Sequence, residues 1–119
     1  MKTKVRTASA AGALWAARTV EWARESLAMS AEEIGAAVGA TGRTISRWAS
    51  RSALPRPTHR ERIEKLNELR HLLDAVFESR AAAQRWLYTP VPAFRGRTPH
   101  SLVRSGRLDD VIGLLAAME

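Results

Sequence analysis

The stretch Leu27–Arg51, LAMSAEEIGAAVGATGRTISRWASR, decides the fold of this 119-residue chain, because it predicts two short helices joined by a tight turn. Ser30 followed three residues later by Glu33 is a capping-box pattern, which predicts a first helix over Ala31–Val38. Gly39 then suits the left-handed conformation that ends many helices. This arrangement is typical of a helix-turn-helix, in which the second helix enters the major groove of DNA.

The second helix of this motif is predicted over Gly42–Arg51, with Thr41 as its N-cap. Ile45 and Trp48 lie on one face at helical spacing, so we expect both to be buried. The rest of the helix is small, polar or basic, and it could face a major groove. We predict that DNA is contacted by these residues: Thr41, Gly42, Arg43, Thr44, Ser46, Arg47, Ser50 and Arg51.

Positive charge is concentrated around this second helix. The net charge of the chain is +7, and residues 41–62 hold six arginines against one acid, a local balance of +5. Such a concentration favours polyanions, since phosphate neutralisation is the main source of non-specific DNA affinity. Arg43 and Arg47 share a face, and we expect them to contact guanine edges or phosphates, with Arg51, Arg56 and Arg60 on phosphates. A solvated arginine-rich surface is the alternative.

The remaining sequence predicts more helices and no strand, which makes the expected fold all-α. The predicted segments are a first helix within Ala8–Leu27, a long amphipathic helix to Phe77 after the break Leu54–Pro57, a short helix capped by Ser79, an extended link over 88–92, a helix from Pro99 to Gly106, and Leu108–Met118. We divide the chain into a DNA-binding unit with its long linker helix, residues 8–77, and a small helical C-terminal unit, residues 78–119. Trp86 is expected in the core, whereas Trp15 and Trp22 could pack internally or at a subunit contact.

Several classes of function are disfavoured by composition. The chain has no cysteine, so it has neither a disulfide nor a thiolate metal site. The three histidines, His59, His71 and His100, lack metal-ligand spacing, and we expect all three on the surface. No stretch approaches the roughly 18 unbroken apolar residues of a membrane span. The lack of cysteine fits a reducing cytoplasm, where we expect the protein. No catalytic motif is present, so we predict no enzymatic activity, bound metal or cofactor.

The order of these segments, ending in QRWLYTPVPAFRGRTPHSLVRSGRLDDVIGLLAAM over residues 84–118, resembles the Xre/MbcA/ParS toxin-binding antitoxins. The similarity rests on a helix centred on Trp86, a link bearing Pro90 and Pro92, and a P-x-x-L-x-x-x-G helix from Pro99 to Gly106. It covers about residues 20–118. The helix-turn-helix alone is moderately specific, because many repressors have one, and its combination with the C-terminal pattern is far more specific.

The resemblance implies a homodimer that binds operator DNA and represses its own operon. It also implies that the C-terminal unit docks on a RES-type toxin, an enzyme that consumes NAD⁺, and obstructs the active site of that toxin. All the chemistry would then belong to the toxin. The residues expected to contact the toxin are Arg95, Arg97, Arg104, Leu115, Met118 and Glu119.

One departure from the family concerns the end of the chain. Family members commonly carry a few glycine-containing, apolar residues beyond the last helix that reach into the toxin pocket, whereas this sequence ends at Met118-Glu119. Either the last helix fills the pocket, or inhibition works differently, or this copy no longer neutralises a toxin. The C-terminal arginines, with Arg107 among them, could meet an acidic toxin surface, touch DNA or be solvated.

Two further hypotheses stand beside the antitoxin. The chain could be a stand-alone or phage-type repressor with a dimerising C-terminal domain. Alternatively, it could be a partner-inhibiting protein whose helix-turn-helix no longer binds DNA. A neighbouring reading frame for a RES-type protein would separate the first two of the three hypotheses, and a gel shift with the chain's own promoter would test the third.

Overall fold

The computed structural model describes the backbone of residues 2–119 and the side chains of residues 10–119. Over this range the backbone forms seven α-helices and one short 3₁₀ turn, with no strand, which confirms the all-α prediction. The helices are α1 (Lys2–Ser26), α2 (Ala31–Val38), α3 (Gly42–Ala49), α4 (Pro57–Val76), α5 (Arg80–Leu87), α6 (Pro99–Arg104) and α7 (Leu108–Met118), and the 3₁₀ turn spans Pro92–Phe94. The prediction of an extended link over residues 88–92 missed this turn.

The predicted caps of the helix-turn-helix are confirmed. The Glu33 amide donates to Ser30 Oγ over 3.1 Å, and the Ser30 amide donates to Glu33 Oε1 over 3.0 Å, which together form the capping box of α2. Gly39 ends α2 with a left-handed φ of 77°. The Thr44 amide donates to Thr41 Oγ1 over 3.1 Å and so caps α3.

Helix α3 is shorter than the sequence predicts. It ends at Ala49, and the predicted extension to Arg51 is wrong because Arg51 has a left-handed φ of 62°. The Ser52 amide turns back to donate to the Arg47 carbonyl over 2.9 Å, which closes the helix at that point. Arg51 therefore lies just beyond α3 rather than on it.

Gly35 allows the turn that leads into α3 to pack closely against α2. The Ala40 amide donates to the Gly35 carbonyl over 2.8 Å, and a Cβ atom at position 35 would overlap the carbonyl oxygen of Ala40. Since the obstructing atoms belong to the backbone, they have no rotamer by which to move aside. This contact fixes the path of the turn between the two helices of the motif.

A single cluster of buried side chains joins the two predicted units. It contains Ile45 and Trp48 from α3 together with Leu108 and Leu115 from α7, and α7 packs along α4. Leu115 is 0% exposed, so its assignment to the toxin contact is wrong: the side chain belongs to the core of its own chain. Helical spacing already placed Leu115 on the apolar face of α7, where burial of a leucine stabilises the fold by ~2 kcal/mol.

The end of α1 is held by side chains from the C-terminal half. The Leu27 carbonyl accepts a hydrogen bond from the Tyr88 hydroxyl over 3.0 Å and another from His100 Nε2 over 2.7 Å. The prediction that His100 lies on the surface is wrong, because its ring stacks on Tyr88 and is 7% exposed. Arg80 donates to Ser26 Oγ over 2.6 Å and adds to the same junction.

A second junction connects α2 with the C-terminal half. Arg62 donates to the carbonyls of Ala37 and Gly106, over 3.2 and 3.3 Å, and lies 3.7 Å from an Asp109 carboxylate oxygen. This guanidinium joins three segments of the fold. Its charge is therefore partly neutralised within the chain, which makes Arg62 less available to DNA.

Candidate nucleic-acid interface

One face of α3 is anchored and the opposite face is exposed. Ile45 is 0% and Trp48 1% exposed, as predicted, and the indole of Trp48 lies against the His59 ring with centroids 5.4 Å apart. Arg43 and Arg47 project from the exposed side of the same helix. Because the buried indole fixes the rotation of α3 about its axis, the two arginines are held on the outer surface.

The charges of these two arginines are not neutralised within the described part of the chain. Neither the Arg43 nor the Arg47 guanidinium makes an ion pair or a hydrogen bond to any residue from 10 to 119. Arginine in this state keeps all five donors for another molecule. The planar guanidinium matches both phosphate oxygens and the O6/N7 edge of guanine.

A surface groove of about 670 Å³ runs beside the exposed face of α3. Its walls come from the α2–α3 turn, from α3 and from the loop before α4, and they include Thr44, Arg47 and Arg56. Arg47 and Arg56 therefore line one concave surface. Such a surface suits a strand of phosphates lying next to a helix in the major groove.

The small polar residues of the predicted site have structural roles. Thr41 Oγ1 accepts the Thr44 amide and also donates to Thr44 Oγ1 over 3.0 Å, which makes Thr41 a cap, as the sequence predicted. Ser50 Oγ donates to the Arg47 carbonyl over 3.1 Å at the other end of α3. Ser46 is exposed between Arg43 and Arg47. The arginines are thus the groups most available for contact, and the role of the hydroxyls in binding stays a prediction.

The sequence did not point to Glu32, yet the structure brings its carboxylate to the start of α3. A Cβ atom built at Gly42 would lie 2.8 Å from Glu32 Oε1, so the acid sits beside the first residue of the recognition helix. A carboxylate there interacts favourably with the positive end of the helix dipole. It also places one negative charge at the edge of an otherwise basic surface.

The residues predicted to contact a toxin are dispersed over the C-terminal half. Arg104 pairs with Glu33 at 3.0 Å and so connects α6 to α2. The hydrogen bond from the Ser30 amide, followed by that from Arg104, lowers the pKa of Glu33 below its usual value. Met118 and Glu119 are exposed at the end of α7, and Arg95 and Arg97 are exposed in the turn before α6.

The described residues were also compared with the requirements of a metal site and of a membrane-spanning helix. Among them, no group of three His, Asp or Glu side chains is placed to hold a metal ion. None of the helices in this same part of the chain is long and apolar enough to cross a membrane.

Comparison with known proteins connects the chain to a family of antitoxins. Residues 72–119 match the family described as the antitoxin Xre/MbcA/ParS C-terminal toxin-binding domain, which begins inside α4. The chain is 35% identical over 104 residues to the mycobacterial cidal antitoxin MbcA of Mycobacterium tuberculosis and of Mycobacterium bovis, covering 86% of this chain and 89% of the relative. A chain in the crystal structure of the M. tuberculosis MbcT–MbcA toxin–antitoxin complex superposes with a TM-score of 0.58 and 32% identity, covering 86% of this chain and 91% of that chain.

Proposed function

The chain belongs to the Xre/MbcA/ParS antitoxin family, and we propose that it blocks a RES-type toxin and represses its own operon by binding operator DNA. The observation that carries the DNA-binding part is the exposed pair Arg43 and Arg47 on a helix whose other face is anchored by Trp48. The toxin-binding part is supported by the family match and by the similar chain found in a toxin–antitoxin complex.

On the DNA, α3 would lie in the major groove with Arg43 and Arg47 toward base edges or phosphates. Arg51, Arg56 and Arg60 are exposed around it and would neutralise phosphates. A homodimer would present two copies of α3 and would require a palindromic operator. Each neutralised phosphate changes the slope of log affinity against log salt by roughly −0.9, so binding should weaken steeply with salt.

On the toxin, the C-terminal half would act by occupying space rather than by chemistry. RES-type toxins consume NAD⁺, so a helical unit seated over the active site would keep the cofactor out. The helices α5 to α7 share the core with α4, and their orientation is set before any partner arrives. We place this activity in the cytoplasm, where the operator and the NAD⁺ pool would both be found.

A binding assay with the full chain tests the DNA-binding part. The DNA upstream of the gene is titrated with the wild-type chain and with an Arg43→Ala, Arg47→Ala double variant. An Arg95→Ala, Arg97→Ala variant is the matched control, since it removes the same charge from another exposed surface. The first variant should lose at least about 10-fold in specific affinity, because each good arginine–guanine contact contributes ~1–3 kcal/mol. Unchanged specific affinity of that variant would refute the assignment of α3.

A separate assay tests the toxin-binding part. The neighbouring reading frames are first searched for a RES-type protein, which would then be purified, and its NAD⁺ consumption followed as the chain is added. We expect consumption to stop near a stoichiometric ratio. Consumption that continues unchanged in the presence of excess chain would contradict the antitoxin function, whatever the result with DNA.

A further inference from the structure

The segment from Val91 to Arg97 forms a turn that is closed by its own backbone. The Val91 amide donates to the Arg97 carbonyl over 3.0 Å, and the Val91 carbonyl accepts from the amides of Phe94 and Gly96 over 2.9 and 3.1 Å. The Arg97 amide completes the set by donating to the Phe94 carbonyl over 3.1 Å. Backbone groups bonded in this way hold the segment in one conformation, so the positions of its Cα and Cβ atoms are fixed.

Arg95 occupies a backbone position in this turn that ordinarily favours glycine. Its φ is 57°, in the left-handed region, and Gly96 beside it has a φ of 82°. A residue with a Cβ atom loses conformational energy there, and such residues cluster at binding sites. The two left-handed residues turn the chain sharply, and the Arg95 side chain is exposed at this turn.

Three guanidinium groups converge on one concavity next to this turn. A groove of about 610 Å³ is lined by Phe94, Arg95, Arg97, Leu102, Arg107 and Asp110, and we call it the arginine groove. Asp110 pairs with Arg107 at 2.8 Å, and Arg97 reaches only a neutral partner, Ser105 Oγ, at 3.3 Å. Arg95 makes no ion pair or side-chain hydrogen bond to any residue from 10 to 119. The groove therefore carries a net charge of +2 from these four side chains.

We propose that the arginine groove is the docking surface for a carboxylate-bearing segment of the toxin, an inference that rests on the function proposed above. Guanidinium groups bind carboxylates through two parallel hydrogen bonds, and a groove holding several of them selects an acidic partner. A protein fits better than nucleic acid, because the half-buried Phe94 and the buried Leu102 supply apolar surface of the kind found in protein interfaces.

The test measures the affinity of the full chain for its RES-type partner and, separately, for its operator. The test variants are Arg95→Ala and Arg97→Ala, made singly and together, and the matched control for each single change is Arg85→Ala, an exposed arginine on α5 in the same half of the chain. The double variant should lose at least about 10-fold in toxin affinity, since truncating one side of a close charge pair is costly, while the control should change less than about threefold. All of these variants should keep operator affinity.

A second variant separates binding from folding. Arg95→Gly removes the guanidinium and relieves the left-handed strain, so it should raise the thermal midpoint while weakening toxin binding. Wild-type toxin affinity in the double variant and in Arg95→Gly overturns the proposal and leaves the antitoxin function intact. Loss of operator affinity with toxin affinity preserved also overturns it, because the groove would then contact DNA. A wild-type chain that forms no complex with the toxin overturns the function itself and this surface with it.

Discussion

Replacing Gly35 with alanine tests whether the close packing of the turn against α2 sets the position of α3. The added Cβ would overlap the Ala40 carbonyl oxygen and lie 3.1 Å from the carbonyl carbons of Ala40 and Thr41. These are backbone atoms of the turn, so the turn must move away from α2 to accept the methyl group. That movement would stretch the 2.8 Å hydrogen bond from the Ala40 amide to the Gly35 carbonyl.

The expected change in unfolding free energy follows from three terms. Forcing a methyl group into a packed site costs ~1–3 kcal/mol, and weakening one backbone hydrogen bond costs ~1 kcal/mol. Alanine is a better helix former than glycine by ~1 kcal/mol, which offsets part of this loss. The Gly35→Ala variant should therefore lose about 1–3 kcal/mol of unfolding free energy.

Gly113→Ala is the matched control, because it makes the same chemical change on the exposed side of α7. A Cβ atom there would have no neighbour within 4 Å, so only the helix preference remains and the variant should gain ~0.5–1 kcal/mol. Urea denaturation measures whether the unfolding free energy falls in Gly35→Ala and rises in Gly113→Ala. Operator titration then shows whether α3 has shifted. An unchanged or raised stability in Gly35→Ala would refute the packing argument, because the two glycines would then be equivalent.

Three further predictions concern the contacts between the halves. Stability should fall as the pH decreases below 6.5, because burial lowers the pKa of His100 and the unfolded chain then binds a proton more readily than the folded chain does. Urea midpoints measured from pH 8 to 5 should show this fall in stability, and His100→Gln should make it smaller. Arg62→Met should lower the unfolding free energy by about 1–3 kcal/mol, since two backbone carbonyls lose a charged donor, while the exposed Arg60→Met should change it by less than ~0.5 kcal/mol in the same thermal melts. Arg104→Ala should raise the pKa of Glu33, measured by NMR titration, and a value that does not move would contradict the ion pair.

The helix-turn-helix could be predicted because its determinants are local. The capping box joins Ser30 to Glu33, and the cap of α3 joins Thr41 to Thr44, so each contact spans three residues. The left-handed Gly39 needs no distant partner. Patterns of this length are visible in a sequence, because the interacting groups are fixed by the helical repeat alone.

The junctions between the halves could not be predicted in the same way. His100 is 73 residues from the carbonyl that it contacts, and nothing in its neighbours along the chain signals burial. Arg95 precedes a glycine, but the arginine itself takes the left-handed conformation as well. Leu115 is a different case, since its spacing from Val111 and Ile112 puts it on the apolar side of α7, and only the family resemblance suggested a surface role.

The number of arginines in a stretch of sequence also overstates how many of them are available to DNA. Arg62 belongs to the same basic stretch as Arg43 and Arg47, yet it serves the fold, because two carbonyls and an acid of α7 lie within its reach. The difference arises from what surrounds each guanidinium after folding, which depends on α7 packing along α4. The same packing means that residues 78–119 complete the core that also anchors α3. We therefore expect a chain cut after residue 77 to lose operator binding through unfolding, although α3 and its arginines would remain in it.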